Sequence, residues 1–332
     1  MQTPEPQLIL DDKKRVKMKS NAIQQFLAFG SLIVLVIFFS IASPNFFQFD
    51  NIIGILLSTS VIGILALGAT FIIITSGIDL SVGTVMTLCS VMTGIFITSM
   101  GLPIFVGVLG GILTGATAGV IAGIAISKFQ IPPFIATLAM MMIAKGLALV
   151  ISGAAPIYFT SHEGFTKIAM GSLIPGTEIP NAVLIFFGMA VIGGIILNKT
   201  IIGRYTFAIG SNEEATRLSG VNVNKWKIII YGIAGVFTGI GGIVMAARLN
   251  SAQPALGQGY ELEAIAAVVI GGTSLSGGKG TILGTVIGAL IMSVLTNGLR
   301  ILSVPQEWQT VVVGAVILFA VYTDVLRNKK SK

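Results

Sequence analysis

The stretch PIFVGVLGGILTGATAGVIAGIAIS, residues 103–127, carries no charged side chain and places glycine at 107, 111, 115, 119 and 123. An α-helix needs about 20 predominantly apolar residues to cross roughly 30 Å of hydrocarbon, and this run is long enough. Residues four apart lie on one helix face. A face built from Gly107, Gly111, Gly115, Gly119 and Gly123 lets a second helix approach closely, so dispersion contacts rather than water expulsion hold the pair. Gly280, Gly284 and Gly288 repeat the device later in the chain. The stripe reads as helix packing first and as a gating surface second.

Working outward, comparable runs occupy about 26–42, 52–75, 82–100, 103–127, 134–152, 182–198, 227–249, 262–279, 280–301 and 308–325. Composition agrees with this map. Of 332 residues, 54% are apolar and 10% charged, whereas a soluble domain carries about 25% charged residues. The mean hydropathy of +0.94 excludes intrinsic disorder. A single cysteine, Cys89, excludes a disulfide scaffold, and with one histidine, His162, a histidine-based metal cluster is excluded too. The fold class expected is an all-α polytopic membrane protein of about ten transmembrane helices. The first run ends in Ser40-Ile41-Ala42, faintly like a cleavage site, but the long polar segment before it favours a first span.

Lysine and arginine give the direction. With the N-terminus inside, every basic residue except Lys145, Lys167, Arg248 and Arg300 falls on the inner side. The expected layout is a cytoplasmic tail over 1–25, one membrane domain over 26–326 with an inner loop at 199–226, and a cytoplasmic tail over 327–332. Trp226 and Trp308 then sit at opposite membrane boundaries. The weak part of the map is 262–280. Gly271-Gly272-Thr273-Ser274-Leu275-Ser276-Gly277-Gly278-Lys279-Gly280 is a poor helix, and irregular backbone survives at membrane depth only inside protein or beside water. A broken or re-entrant element is expected there as readily as a full span. The same segment echoes Gly77-Ile78-Asp79-Leu80-Ser81-Val82-Gly83, since each follows one apolar run and opens another, as in transporters built from repeats.

Few ionisable groups lie within the spans. No Asp or Glu falls in the middle of a clear run, and Lys145 is near enough to one end to snorkel. A carrier driven by an ion gradient normally needs an embedded carboxylate, so energy is expected to arrive by another route. Gly77, Asp79, Ser81 and Gly83 form a motif in which Asp79 caps the next helix or takes part in gating. In the inner loop, Ser211-Asn212-Glu213-Glu214 has capping-box spacing. The expectation is a short helix over 212–219, acidic at its start, with Arg217 near its end and Gly220 just beyond. It is either an ordinary solvated helix or one shaped for a groove on a soluble partner. The glycine-rich 272–280 segment fails as a phosphate loop, because Lys279 is followed by Gly280 and the earlier glycine position holds Thr273. With one histidine, no Ser/His/Asp set is available, so no catalytic residues are expected.

Four stretches carry a family resemblance: ITSGIDLSVG (74–83), FIATL (134–138), GSNEEATRLSGVNV (210–223) and SAQPALGQGYELEAIAAVVIGGTSLSGGKG (251–280). Together they resemble the ribose-type permease subunits of ATP-binding-cassette sugar importers, over nearly all of the chain beyond its N-terminal tail. The resemblance implies a partner list: a second permease copy, cytoplasmic ATPase subunits that use ATP and Mg2+, an extracytoplasmic sugar-binding protein, a sugar substrate and the plasma membrane of a prokaryote. It implies no nucleic acid, and no cofactor or metal in this chain. Such permeases carry an inner coupling helix of the form E-A-A-x-x-x-G. Glu214-Ala215-Thr216-Arg217-Leu218-Ser219-Gly220 matches it except at Thr216, which assigns ATPase coupling to Glu213, Glu214, Ala215, Arg217 and Gly220. On the outer face Arg248, Arg300 and Lys167 are expected to meet acidic groups of the binding protein. Asn250, Ser251, Gln253 and Gln258 are expected near the mouth of the path. A gradient-driven secondary sugar transporter and a structural membrane subunit without transport are the alternatives.

Overall fold

The computed structural model describes residues 25–174 and 176–330. The tail lysines and arginines at 13–19 and Lys332, used above for direction, lie outside them. Among the described residues nine helices are long and apolar enough to cross a membrane. They are α1 (Gln25–Ala42), α2 (Phe49–Ile74), α3 (Val82–Gly94, continued to Ser99 by a π-turn), α4 (Ile104–Ser127), α5 (Pro133–Ser152), α7 (Asn181–Lys199), α10 (Val223–Leu249), α12 (Ile282–Ile301) and α13 (Gln306–Lys330). Four shorter helices join them: α6 (Glu163–Met170), α8 (Ile201–Ser211), α9 (Glu213–Leu218) and α11 (Tyr260–Ile270). Strands β1 (Ile157–Tyr158) and β2 (Ser251–Ala252) pair antiparallel, tying the loop after α5 to the end of α10.

The helix ends follow from local chemistry. Pro133 opens α5 behind Pro132, and Gly153 closes it in the left-handed conformation at φ 61°. Thr200, Asn222 and Thr281 cap α8, α10 and α12 by accepting the amides of Ile202, Lys225 and Gly284. The tenth expected span, 262–279, does not form. Its helical part is α11, whose 11 residues extend about 16 Å, roughly half of the hydrocarbon thickness. An irregular segment of turns follows to α12, so the broken-element expectation holds. Gly280, placed with Gly284 and Gly288 in one helical stripe, lies before α12 starts.

The core is built where backbones touch. A Cβ on Gly115 would meet the Gly235 carbonyl, and one on Gly119 the Tyr231 carbonyl. One on Gly123 would lie 2.9 Å from the Ile228 Cα. Further along, Gly107 seats the Ile97 side chain and Gly111 the Thr93 hydroxyl. The α4 stripe therefore receives α10 over one half and α3 over the other. Between α2 and α12 the contact is polar: the buried Thr70 and Thr285 hydroxyls share a 2.7 Å hydrogen bond. By contrast α1, α4, α5, α7 and α13 expose large apolar side chains such as Phe38, Phe105, Ile143, Val191 and Leu318, as lipid-facing helices do.

Gly119→Val is expected to destabilise the protein by about 1–3 kcal/mol through overpacking against α10, read as a lower Tm in detergent. Gly146→Val, where a new Cβ meets nothing within 4 Å, is expected not to lower it.

Candidate functional site

The helix ends fall into two sets, one carrying α9 and the other α6. At the α9 end, α8 and α9 are separated by a single residue, Asn212. Its side chain caps α9 by accepting the Ala215 amide at 2.9 Å. Ser211 is the last residue of α8, so the capping-box reading is corrected: the cap is Asn212, one residue later, and α9 covers 213–218. Gly220 follows in the left-handed region at φ 83°, where glycine carries no Cβ penalty.

Within α9 only Thr216 is buried; its hydroxyl donates to the Asn212 carbonyl at 2.7 Å. Glu213 points back to the scaffold, meeting Lys227 at 2.6 Å and Arg217 at 3.1 Å. Glu214, Ala215 and Arg217 are exposed. So is Leu218, at 83%. Leu218 escaped the sequence reading. An apolar residue in a six-residue charged helix was the available signal, since it serves no core.

Beside α8 the two echoing segments meet. Gly278 donates its amide to the Ile74 carbonyl at 2.8 Å, and Ser76 Oγ donates to the Ser276 carbonyl at 2.9 Å. A Cβ on Gly210 would collide with that Ile74 carbonyl. Gly77 packs under the Tyr231 hydroxyl, which donates to the Ile78 carbonyl at 3.3 Å. Asp79 is buried, and its carboxylate accepts the Ser81 amide at 2.8 Å and the Ser81 hydroxyl at 2.6 Å. Burial pushes the Asp79 carboxyl up, and the two Ser81 hydrogen bonds oppose that rise. The N-cap position of α3 is Ser81, so Asp79 does not cap α3 itself but closes the turn before it. Gly83 allows the loop at Gly257 and the Glu261 carboxylate to come against the first turn of α3.

Most of the residues expected on the outer face and near the mouth divide between two cavities. Arg248 and Arg300 line a cavity of about 450 Å³ between α2, α10, α11, α12 and α13. Asn250 lines a second, of about 350 Å³, under α6 together with Lys167, and accepts the Thr166 hydroxyl at 2.9 Å. Gln253 lines neither and bonds to Ser251 Oγ. Gln258 lines the larger cavity and accepts from Lys145 Nζ at 3.1 Å. Among the described residues no group of His, Cys, Asp and Glu could hold a metal ion.

Comparison with known proteins agrees with a membrane permease. A family profile described as "Branched-chain amino acid transport system / permease component" matches residues 51–321. The Ribose import permease protein RbsC of Escherichia coli (strain K12) is 44% identical over 304 residues, covering 90% of this chain and 92% of its own length. The protein of the same name from Bacillus subtilis (strain 168) is 43% identical over 321 residues, covering 96% and 97%. The Xylose transport system permease protein XylH of Haemophilus influenzae is 33% identical over 372 residues, covering 95% and 99%. No solved structure matches.

Asn212→Ala is expected to lose about 1 kcal/mol of local stability in α9. Hydrogen exchange at the Ala215 amide, measured in detergent, should quicken about fivefold, with α10 unchanged.

Proposed function

The chain belongs to the branched-chain amino acid transport system / permease component family, and on that premise we propose that it is the membrane-spanning subunit of an ATP-driven sugar importer. The proposed cargo is ribose or a closely related sugar. Its support is the ribose import for which relatives 41–44% identical over 90% or more of this chain are named. The chain itself performs no chemistry in this reading. ATP and Mg2+ act in partner ATPase subunits on the cytoplasmic side, a binding protein delivers sugar from the other side, and a second permease copy completes the assembly. The α9 end is cytoplasmic, as are both tails, and the α6 end faces outward. Arg248, Arg300 and Lys167 then belong to the outer half, where charge complementarity to a docked protein gives steering and register more than affinity.

The observation that carries the ATP-driven part is α9. A capped six-residue helix, fixed to the bundle by Thr216 and by Glu213 with Lys227, offers Glu214, Arg217 and Leu218 to solvent. Such a helix adds nothing to the core. It is shaped as a rigid ridge for a groove on another protein. A partner can shift the permease between conformations only through differential contacts with them, and α9 is where nucleotide-driven motion of an ATPase would be felt.

Proteoliposomes holding the permease, its ATPase subunits and the binding protein should accumulate D-ribose only when ATP is supplied. Uphill accumulation by this chain alone would overturn the reading. In the full assembly, Glu214→Arg should leave ATP hydrolysis running while uptake falls by about tenfold or more, a coupling loss of ~1.4 kcal/mol. Unchanged uptake would remove α9 from the coupling role.

A further inference from the structure

We infer that the 450 Å³ cavity is a sugar-binding station belonging to the permease itself, in which Arg248, Arg300 and Glu263 hold adjacent hydroxyl groups. The inference rests on the sugar-import reading and adds a place to it. Its volume falls within the roughly 300–1,000 Å³ of small-molecule sites. Its lining runs from Gln306, at the first turn of α13, down to Ile317. That is about 16 Å along the helix, half of the membrane. On α2 it runs from Ser58 to Ile62. In the proposed orientation these are the outer halves of α2 and α13, so the cavity lies on the side from which a solute would arrive.

The chemistry of the wall narrows the occupant. Among the described residues neither Arg248 nor Arg300 makes an ion pair, and Arg248 reaches only Ser58 Oγ at 3.5 Å. Arg248 is half-buried, and a partly buried guanidinium without an ion partner is costly, so its donors call for acceptors from a ligand or a transient partner; Arg300 is exposed, and its donors are available beside them. Glu263, on α11, lines the same cavity and makes no ion pair either. An anion would suit the arginines and be repelled by Glu263; a cation would have the opposite fault. A neutral ligand with neighbouring hydroxyls suits both, because each hydroxyl donates to the carboxylate and accepts from a guanidinium. Gln258 adds an amide and Tyr260 a ring, while Val61, Ile62 and Val313 offer an apolar floor to the C–H face of a sugar.

The wall is open and lacks a tryptophan, so binding should be weak, as a station on a path must be if cargo is to leave. Selectivity would then be checked twice, first by the binding protein and again by the permease.

Cys89 is the single cysteine and is buried, so Thr310→Cys, at an exposed position lining the cavity, supplies one reactive thiol on this chain. The test uses the permease–ATPase assembly in phosphatidylcholine nanodiscs and follows labelling of that thiol by a charged maleimide. D-ribose at twice its Kd should slow labelling about threefold. 2-Deoxy-D-ribose, which lacks one of the adjacent hydroxyls, should protect less at the same concentration. Adding Glu263→Gln or Arg300→Leu should raise the D-ribose needed for equal protection about tenfold, the scale of one charge-assisted hydrogen bond. If D-ribose gives no protection while the Thr310→Cys assembly with its binding protein still imports ribose with ATP, the station is wrong and the transport reading stands. Protection that follows added phosphatidylglycerol and ignores D-ribose would make the cavity a lipid groove and overturn the proposal. If the unsubstituted assembly imports no sugar, the transport reading falls and this one with it.

Discussion

The Ile74 carbonyl and the Gly278 amide meet at 2.8 Å, and the architecture depends on what that contact allows. A backbone group left unsatisfied in hydrocarbon costs several kcal/mol, so spanning chains are normally continuous helix. This chain leaves helical geometry twice at this place, after the full-length α2 and after the short α11. It can do so because each break satisfies the other: Gly278 to Ile74, and Ser76 to Ser276. Gly210 completes the arrangement from α8, lying so near the Ile74 carbonyl that any side chain there would push the breaks apart. Glycine at 277 and 278 is required for a second reason, since their φ angles are 80° and 68°.

Around this joint the remaining helices form a stiff frame. The backbone contact of α4 with α10 leaves no side-chain layer between them to slide. Motion transmitted to the bundle is therefore expected to follow the irregular segments rather than the α4–α10 pair, since packed cores switch between arrangements instead of deforming smoothly. In the proposed function this sets a division of labour: one rigid pair, α4 on α10, and one set of irregular segments around the joint.

Much of this was legible in the chain. Long apolar runs poor in charge gave nine of ten spans, because hydrocarbon thickness imposes a length that sequence can be measured against. The tenth, at 262–279, failed for the reason its glycines announced. The glycine stripe of α4 was legible as a packing face, but its partners were not, since a periodic pattern names a face and not what covers it. The cap of α9 was misplaced by one residue because serine and asparagine both cap well and stand side by side at 211 and 212. The outer cluster was the least legible part. Arg248, Asn250, Gln253 and Arg300 were grouped by their side of the membrane; the two arginines do share a cavity, but Asn250 lines another and Gln253 neither. Glu263, which faces both arginines' cavity, gave no signal beyond its place beside a span.

The short helix α11 lies between the cavity and the joint at Ile74. Its first turn contributes Tyr260 and Glu263 to the cavity wall, and its last residue, Ile270, leads into the segment that bonds to Ile74. Because an α-helix of 11 residues bends little along its axis, the part of the cavity wall carried by α11 is expected to move with the joint. A full-length span could not serve this way, since a helix anchored at both membrane surfaces has no free end to shift. In the proposed importer, the half-length of α11 is therefore functional: it lets a change imposed beside α9 alter the spacing of Glu263 from Arg248 and Arg300. A site that holds a neutral sugar through that spacing loses its grip when the spacing changes, with no charge to be moved across the membrane.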